Sequence, residues 1–275
     1  LDIWHKKEDF YRVALNNNND EKEGQVILKN EDGVFVLTPS LNKSFKFQTE
    51  WPDNSSQPYL YQSLVKDVVG DSEAEFEATE DHYVFKTKTN YQSNNNLPFQ
   101  EIYFDKKNLT PVLVKVLDVD QSPVVEVKFA SFEMNPEFNE DDFMIKEEDM
   151  TSAESDMAVS GEVASEFPVV LPLETAGAEL TEQKEVSLEN GQRIILTFSG
   201  EKDFTLVQET AEVVETFSPE EVDGDIVNLG HSLGVLTANG IEWSSNGVDF
   251  FLASDELTKE ELIEVAQSVQ GRAVK

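Results

Sequence analysis

The chain has no cysteine among its 275 residues. Disulfides, thiolate metal sites and cysteine nucleophiles are therefore excluded. Basic side chains are scarce: 21 Lys and Arg face 55 Asp and Glu, for a formal charge of −34. Such a chain repels nucleic-acid phosphates and has no polybasic patch for anionic lipid. The acidity serves solubility or a saline, extracytoplasmic setting, or it draws in a basic protein partner. No run of about 18 apolar residues occurs, so no stretch reads as a helix that crosses a bilayer. The three histidines, His5, His82 and His231, are far apart and lack metal-ligand spacing. Phosphate-loop, Rossmann, zincin and Gly-x-Ser-x-Gly patterns are missing. Asp118-Val119-Asp120 and Asp223-Gly224-Asp225 each offer two carboxylates, fewer oxygens than a calcium loop supplies. The reading is of no metal, no cofactor and no catalytic residue. An enzyme built on paired carboxylates stands third, behind two binding functions.

What is present is apolar and aromatic: 39% hydrophobic and 10% aromatic residues, with 18 Phe, enough for a real core. Residues 25–47 set the pattern. Two apolar runs, 26–28 and 34–37, flank Asp32-Gly33, a hairpin signal because Gly supplies positive φ at no steric cost. Thr38-Pro39 ends the second strand, and residues 45–47 form a third with both Phe rings on one face. Residues 1–4 and 10–15 are strand-like before this meander. The four Asn at 16–19 open an exposed loop. Residues 59–69 change period: Leu60, Leu64 and Val68, with Val65 and Val69 beside them, predict a helix capped by Ser55 or Ser56 and stopped near Gly70. Strands resume at 76–78, 82–87, 100–104, 112–117 and 124–132.

Residues 147–164 read as an acidic linker between a domain at 1–146 and a domain at 165–275. Charge shifts across it: residues 1–148 hold 29 acidic and 15 basic side chains, residues 149–275 hold 26 and 6. The second domain predicts strands at 185–188, 192–198, 204–210, 211–217, 226–229, 232–237, 240–244 and 248–253. Glu189-Asn190-Gly191, Asn239-Gly240 and Asn246-Gly247 supply turns. A closing helix at 259–269 has Thr258 and Glu261 at capping-box spacing, Leu257 and Leu262 as a staple, and Val265, Ala266 and Val269 completing a buried stripe. The fold class is thus mostly β with a few helices: an incomplete antiparallel barrel covered by a helix, then a smaller antiparallel sheet with a terminal helix. The chain starts at Leu1 inside a strand-like stretch, and the expectation is an unseen upstream signal or anchor.

The candidate binding residues are rings and one aliphatic on successive strands, expected on one sheet. Trp4, Phe10, Phe35, Phe45 and Phe47 come from the first half; Tyr83, Phe85, Ile102, Phe104 and Phe129 come from the second. Large apolar side chains usually fill cores, and packing against the 59–69 helix is one reading. The other is a partly empty curved face that accepts an acyl chain or an apolar peptide.

Asp9-Phe10-Tyr11-Arg12, the Asp-Gly hairpin, Leu37-Thr38-Pro39, the helix, and paired strands around Pro98 and Pro111 follow one another in a familiar order. That order resembles the LolA, LolB and RseB superfamily of lipoprotein carriers. More narrowly it looks like the YdcC-type sporulation and lipoprotein-sorting proteins of spore-forming Gram-positive bacteria, with the germination lipoprotein GerS a more distant relative. Residues 241–266 are similar to a module of sigma-factor-regulatory envelope proteins. The resemblance implies an unclosed antiparallel barrel around helices, with an apolar cavity. It implies that Arg12 holds a lid, which Leu60 and Leu64 would meet. Two functions follow from it. One is a non-enzymatic, membrane-anchored envelope lipoprotein of sporulation or germination that binds an acyl chain, a lipoprotein or another apolar ligand. The other is a protein-binding regulator of the RseB kind that controls a membrane partner.

Overall fold

The computed structural model describes residues 1–7, 9–16, 23–91, 97–146, 150, 169–188, 191–214 and 218–269. Contacts among them divide the chain into two compact units, Leu1–Thr49 with Asn139–Lys275, and Glu50–Phe138. This differs from the expected split. The linker at 147–164 lies outside the described residues except for Met150, as do most of the Asn loop and turn residues 189–190.

The first unit begins as an antiparallel meander: β1 (Asp2–Lys6), β2 (Phe10–Asn16), β3 (Glu23–Asn30), β4 (Gly33–Thr38) and β5 (Lys43–Phe47). The β3–β4 hairpin forms where the sequence puts it, but Asn30 pairs with Gly33, so the two turn residues are Glu31 and Asp32. Asn30 Oδ1 accepts the Asp32 amide at 2.9 Å, and Gly33, at φ 134°, takes the backbone value that a side chain would resist. Pro39 ends β4 in a single 3-10 turn. The sixth strand of this sheet comes from far along the chain: β14 (Glu220–Val222) lies parallel to β5.

A seven-stranded antiparallel sheet completes the first unit, in the order β11 (Ala178–Leu188), β12 (Gly191–Gly200), β13 (Phe204–Thr210), β18 (Val248–Ala253), β17 (Gly240–Ser245), β16 (Leu233–Leu236), β15 (Asp225–Asn228). Asn246 and Gly247, both at positive φ, make the two-residue β17–β18 turn. The strand expected at 211–217 does not form over its described residues: the Ala211 amide bonds to Gly247 O and the Val214 amide to Leu41 O, outside any ladder. Helix α2 (Lys259–Ser268) carries the predicted capping box. Thr258 Oγ1 accepts from the Glu261 amide at 3.3 Å and Glu261 Oε2 from the Thr258 amide at 2.8 Å. Leu257, Leu262, Val265, Ala266 and Val269 are all buried in one core with Leu196, Leu206, Trp243 and Leu252.

Three buried or half-buried polar contacts join the N-terminal meander and its turns to the C-terminal part of this unit. Gln25 Oε1 accepts the Leu233 amide at 2.7 Å, Asn42 Nδ2 donates to Val214 O at 2.7 Å, and Lys43 pairs with Asp249 at 2.5 Å. These contacts and the β5–β14 pairing explain why the N-terminal meander sides with the C-terminal half. Neither local periodicity nor charge balance carries that information.

The second unit is an antiparallel sheet in the order β10 (Pro123–Lys128), β9 (Pro111–Leu117), β8 (Phe99–Asp105), β7 (His82–Lys88), β6 (Glu75–Ala78), preceded by helix α1 (Tyr61–Gly70). The molecule is thus mostly β, and among the described residues its three sheets are all open, each ending in two edge strands. Helix α1 starts at Leu60 without a side-chain cap. Ser56 instead accepts the Asn90 amide at 2.7 Å, which corrects its expected capping role. Leu60 and Leu64 are fully buried, but Val65 and Val69 face solvent, so the helix buries a narrower stripe than the sequence suggests.

Candidate functional site

Cross-strand partners share a face of a sheet. In the first unit, Trp4 pairs with Arg12, Arg12 with Leu28, and Leu28 with Phe35, so these share a face with Phe10. Phe45 pairs with Val36 and Phe47 with Val34, which puts both rings on the opposite face. Phe35 therefore meets Lys46, whose ammonium sits 5.7 Å from the ring centroid. Phe10 meets Phe143 at 5.9 Å, and Asn30 Nδ2 donates to Phe143 O at 3.0 Å. Arg12 lies over the Trp4 ring, 5.6 Å from it. Phe45 lines a cleft with Val36, Thr38, Glu242 and Trp243 whose free volume is about 10 Å³. That holds one water and no acyl chain.

The ten candidates thus do not share one sheet. Five fall on two faces of the six-stranded sheet; Tyr83, Phe85, Ile102 and Phe104 lie on the five-stranded sheet, with Phe129 just beyond its last strand. Arg12 likewise belongs to the first unit, and Leu60 and Leu64 to the second.

The second five do come together. Tyr83 pairs with Phe104, Phe85 with Ile102, Ile102 with Val114 and Val114 with Val127; Phe129 follows Val127 in phase. Helix α1 lays Leu64 on this face, among Ile102, Phe104, Val114 and Val116, while Tyr83, Phe85, Val127 and Phe129 remain partly exposed. Three rings absent from the sequence reading extend it. Phe76, paired with Phe85, is 58% exposed; its centroid lies 5.2 Å from Phe85 and 5.7 Å from Tyr83. Tyr61 stands edge-on to Phe104 at 6.4 Å, and Phe132 lies 5.4 Å from Tyr61 and 6.5 Å from Phe129. A row of touching rings therefore runs from Phe76 through Phe85, Phe104, Tyr61 and Phe132 to Phe129. Alternation in 76–78 was a signal for Phe76. Phe132 closes the strand expected at 124–132, but that strand stops at Lys128, and alternation from Phe129 would have put Phe132 on the other face.

Beneath the helix the contacts are polar. Gln100, fully buried, donates to Asp67 Oδ2 at 2.7 Å. Burial pushes the Asp67 carboxyl above the usual range, against bonds from Ser56 and Gln100 and the charge of Lys66. Asp71 goes the other way, held low first by the Lys88 and Glu73 amides. Burial raises the Tyr59 and Tyr91 phenols, and these groups are spectators at neutral pH.

The three histidines stand apart from one another. His5 lies tilted against Tyr11, ring centroids 4.6 Å apart, and burial lowers its pKa; His82 lies edge-on to Tyr103 at 6.2 Å; burial also lowers His231. Among the described residues no three His, Asp or Glu are grouped to hold a metal. Asp118 Oδ1 is occupied by the amides of Asp120 and Ser122, as a turn cap.

No protein-family model matches the chain. It is 50% identical over 276 aligned positions to the sporulation protein YdcC of Bacillus subtilis (strain 168), covering 100% of this chain and 81% of that protein. The chain belongs to the YdcC family of sporulation proteins. Solved structures are more distant from this YdcC relative. A chain in the complex of the CwlD amidase with the GerS lipoprotein of Clostridioides difficile is 20% identical, with a TM-score of 0.39 over 48% of this chain and 72% of that one. A chain of the Pseudomonas aeruginosa MucA/MucB complex is 13% identical, with a TM-score of 0.33 over 99% and 88%. No helix of the described residues is long and apolar enough to cross a membrane.

Proposed function

We propose that this YdcC relative is a non-enzymatic binding protein of the sporulating cell envelope, and that the ring-bearing face of the second unit receives an apolar segment of a protein partner. The observation that carries the reading is the row from Phe76 to Phe129, with several of its rings partly open to solvent. Contiguous exposed apolar surface of this kind marks interaction sites, and aromatic anchors dominate their energetics. The half-barrel that the resemblance implies, with α1 as its cover, belongs to the same proposal; Leu64 against Ile102 and Val114 supports it. An extracytoplasmic location and a membrane anchor rest on the resemblance alone.

An acyl chain is the second reading, favoured by the mostly apolar character of the face. The rings touch one another at 5.2–6.5 Å as one continuous row, and such a row supports the protein-surface reading. The test is affinity capture from sporulating cells, wild type beside Phe129→Ser/Phe132→Ser. A protein lost by about tenfold or more from the variant supports the proposal. Equal recovery overturns it, and an acyl species in its place establishes the second reading.

A further inference from the structure

Strand β6 closes the five-stranded sheet at one end, pairing among the described residues only with β7. Its four residues, Glu75, Phe76, Glu77 and Ala78, are all exposed. An edge strand offers unpaired amides and carbonyls, and proteins usually blunt it with proline, lysine or a bulge. The opposite edge is blunted that way: β10 starts at Pro123 and its register shifts between Pro123 and Val125. Strand β6 has none of these devices. It has acid instead. Glu75 and Glu77 lie on the face opposite Phe76, Glu80 and Asp81 follow, and none of the four is in an ion pair among the described residues. The nearby cations are engaged: Lys86 with Glu101 at 3.4 Å, and Lys88 with Glu73.

We infer that β6 is a strand-addition site for an extended partner segment that alternates basic and apolar residues. A residue opposite Phe76 falls on the ring-bearing face and extends the row of rings. Its two neighbours fall on the other face, opposite Glu75 and Glu77, where a cation is attracted and an acid repelled. A second copy of this chain is disfavoured, because it carries a charge of −34 and would bring carboxylate to carboxylate. The acid thus does for β6 what lysine does elsewhere, while leaving the edge open to one class of partner. This inference rests on the protein-binding reading and adds the partner's chemistry and its place.

The experiment titrates full-length protein with a fluorescent Lys-Val-Lys-Phe-Lys-Val-Lys peptide and with a block-ordered peptide of the same composition, at physiological salt. The alternating peptide should bind more tightly and should slow hydrogen exchange at residues 75–78. Glu75→Gln/Glu77→Gln, changes at exposed positions with no ion pair among the described residues, should weaken it by about threefold to tenfold. Equal binding of the two peptides, or protection that maps away from 75–78, overturns the inference. If capture still depends on Phe129 and Phe132 while β6 gains no protection, only the edge-strand inference falls. If both fail, the binding face itself is wrong.

Discussion

Asp67 shows how much a single side chain can hold that spacing does not reveal. It lies on the same helix as Leu64, yet its partner Gln100 is 33 residues away on β8. Burial raises its native pKa above the unfolded value. The native state therefore binds that proton more tightly, and the associated stability is complete below the ordinary carboxylate range. It is lost as pH rises through the raised native value. Asp67→Asn mimics the protonated form. The variant should match wild type at about pH 3.5 and exceed it at about pH 7, as read by urea midpoints. An equal gap at both would show that the carboxyl is not strained by burial. Asp71, whose pKa is lowered, loses its contribution as pH falls, but it is common to both proteins and cancels.

At the scale of elements, legibility followed the range of the forces. Helix α2 was readable almost residue by residue, because cap, staple and stripe all lie within about a dozen residues. Thr258→Ala should cost about 1 kcal/mol in urea or thermal unfolding, since it orphans the Glu261 amide. A loss near zero would mean that Glu261, held by Lys202 at 2.5 Å, secures the helix start alone. Helix α1 was readable in place but not in its cap or width: Ser56 serves Asn90, and Val65 and Val69 are exposed. The β3–β4 hairpin was readable to one residue, the error arising because the Asn30 side chain builds the turn before Gly33 is reached. The residues after Thr210 were expected to form a strand. Long-range bonds to Leu41 and Gly247 took their amides instead.

For the whole molecule, the mostly β class and the family were legible, and the grouping of the rings was half legible. Tyr83, Phe85, Ile102, Phe104 and Phe129 share a face because alternation within their strands meets in-phase pairing of Phe85 with Ile102, Ile102 with Val114 and Val114 with Val127. Trp4, Phe10 and Phe35 part from Phe45 and Phe47 because cross-strand register, which composition does not encode, puts Phe35 opposite Lys46. The charge of −34 acts on the whole chain at once. Raising salt from about 20 mM to about 500 mM should raise the melting temperature by screening self-repulsion. A fall would mean that the ion pairs outweigh it. The central claim, that the ring-bearing face of the second unit meets a protein, is tested most directly by photo-crosslinking in sporulating cells. A benzophenone amino acid would replace Phe132 in one strain and the exposed Phe251 of β18 in another. The account predicts a discrete protein adduct at position 132 and none at 251; no adduct at 132, or the same adduct at both, would contradict it.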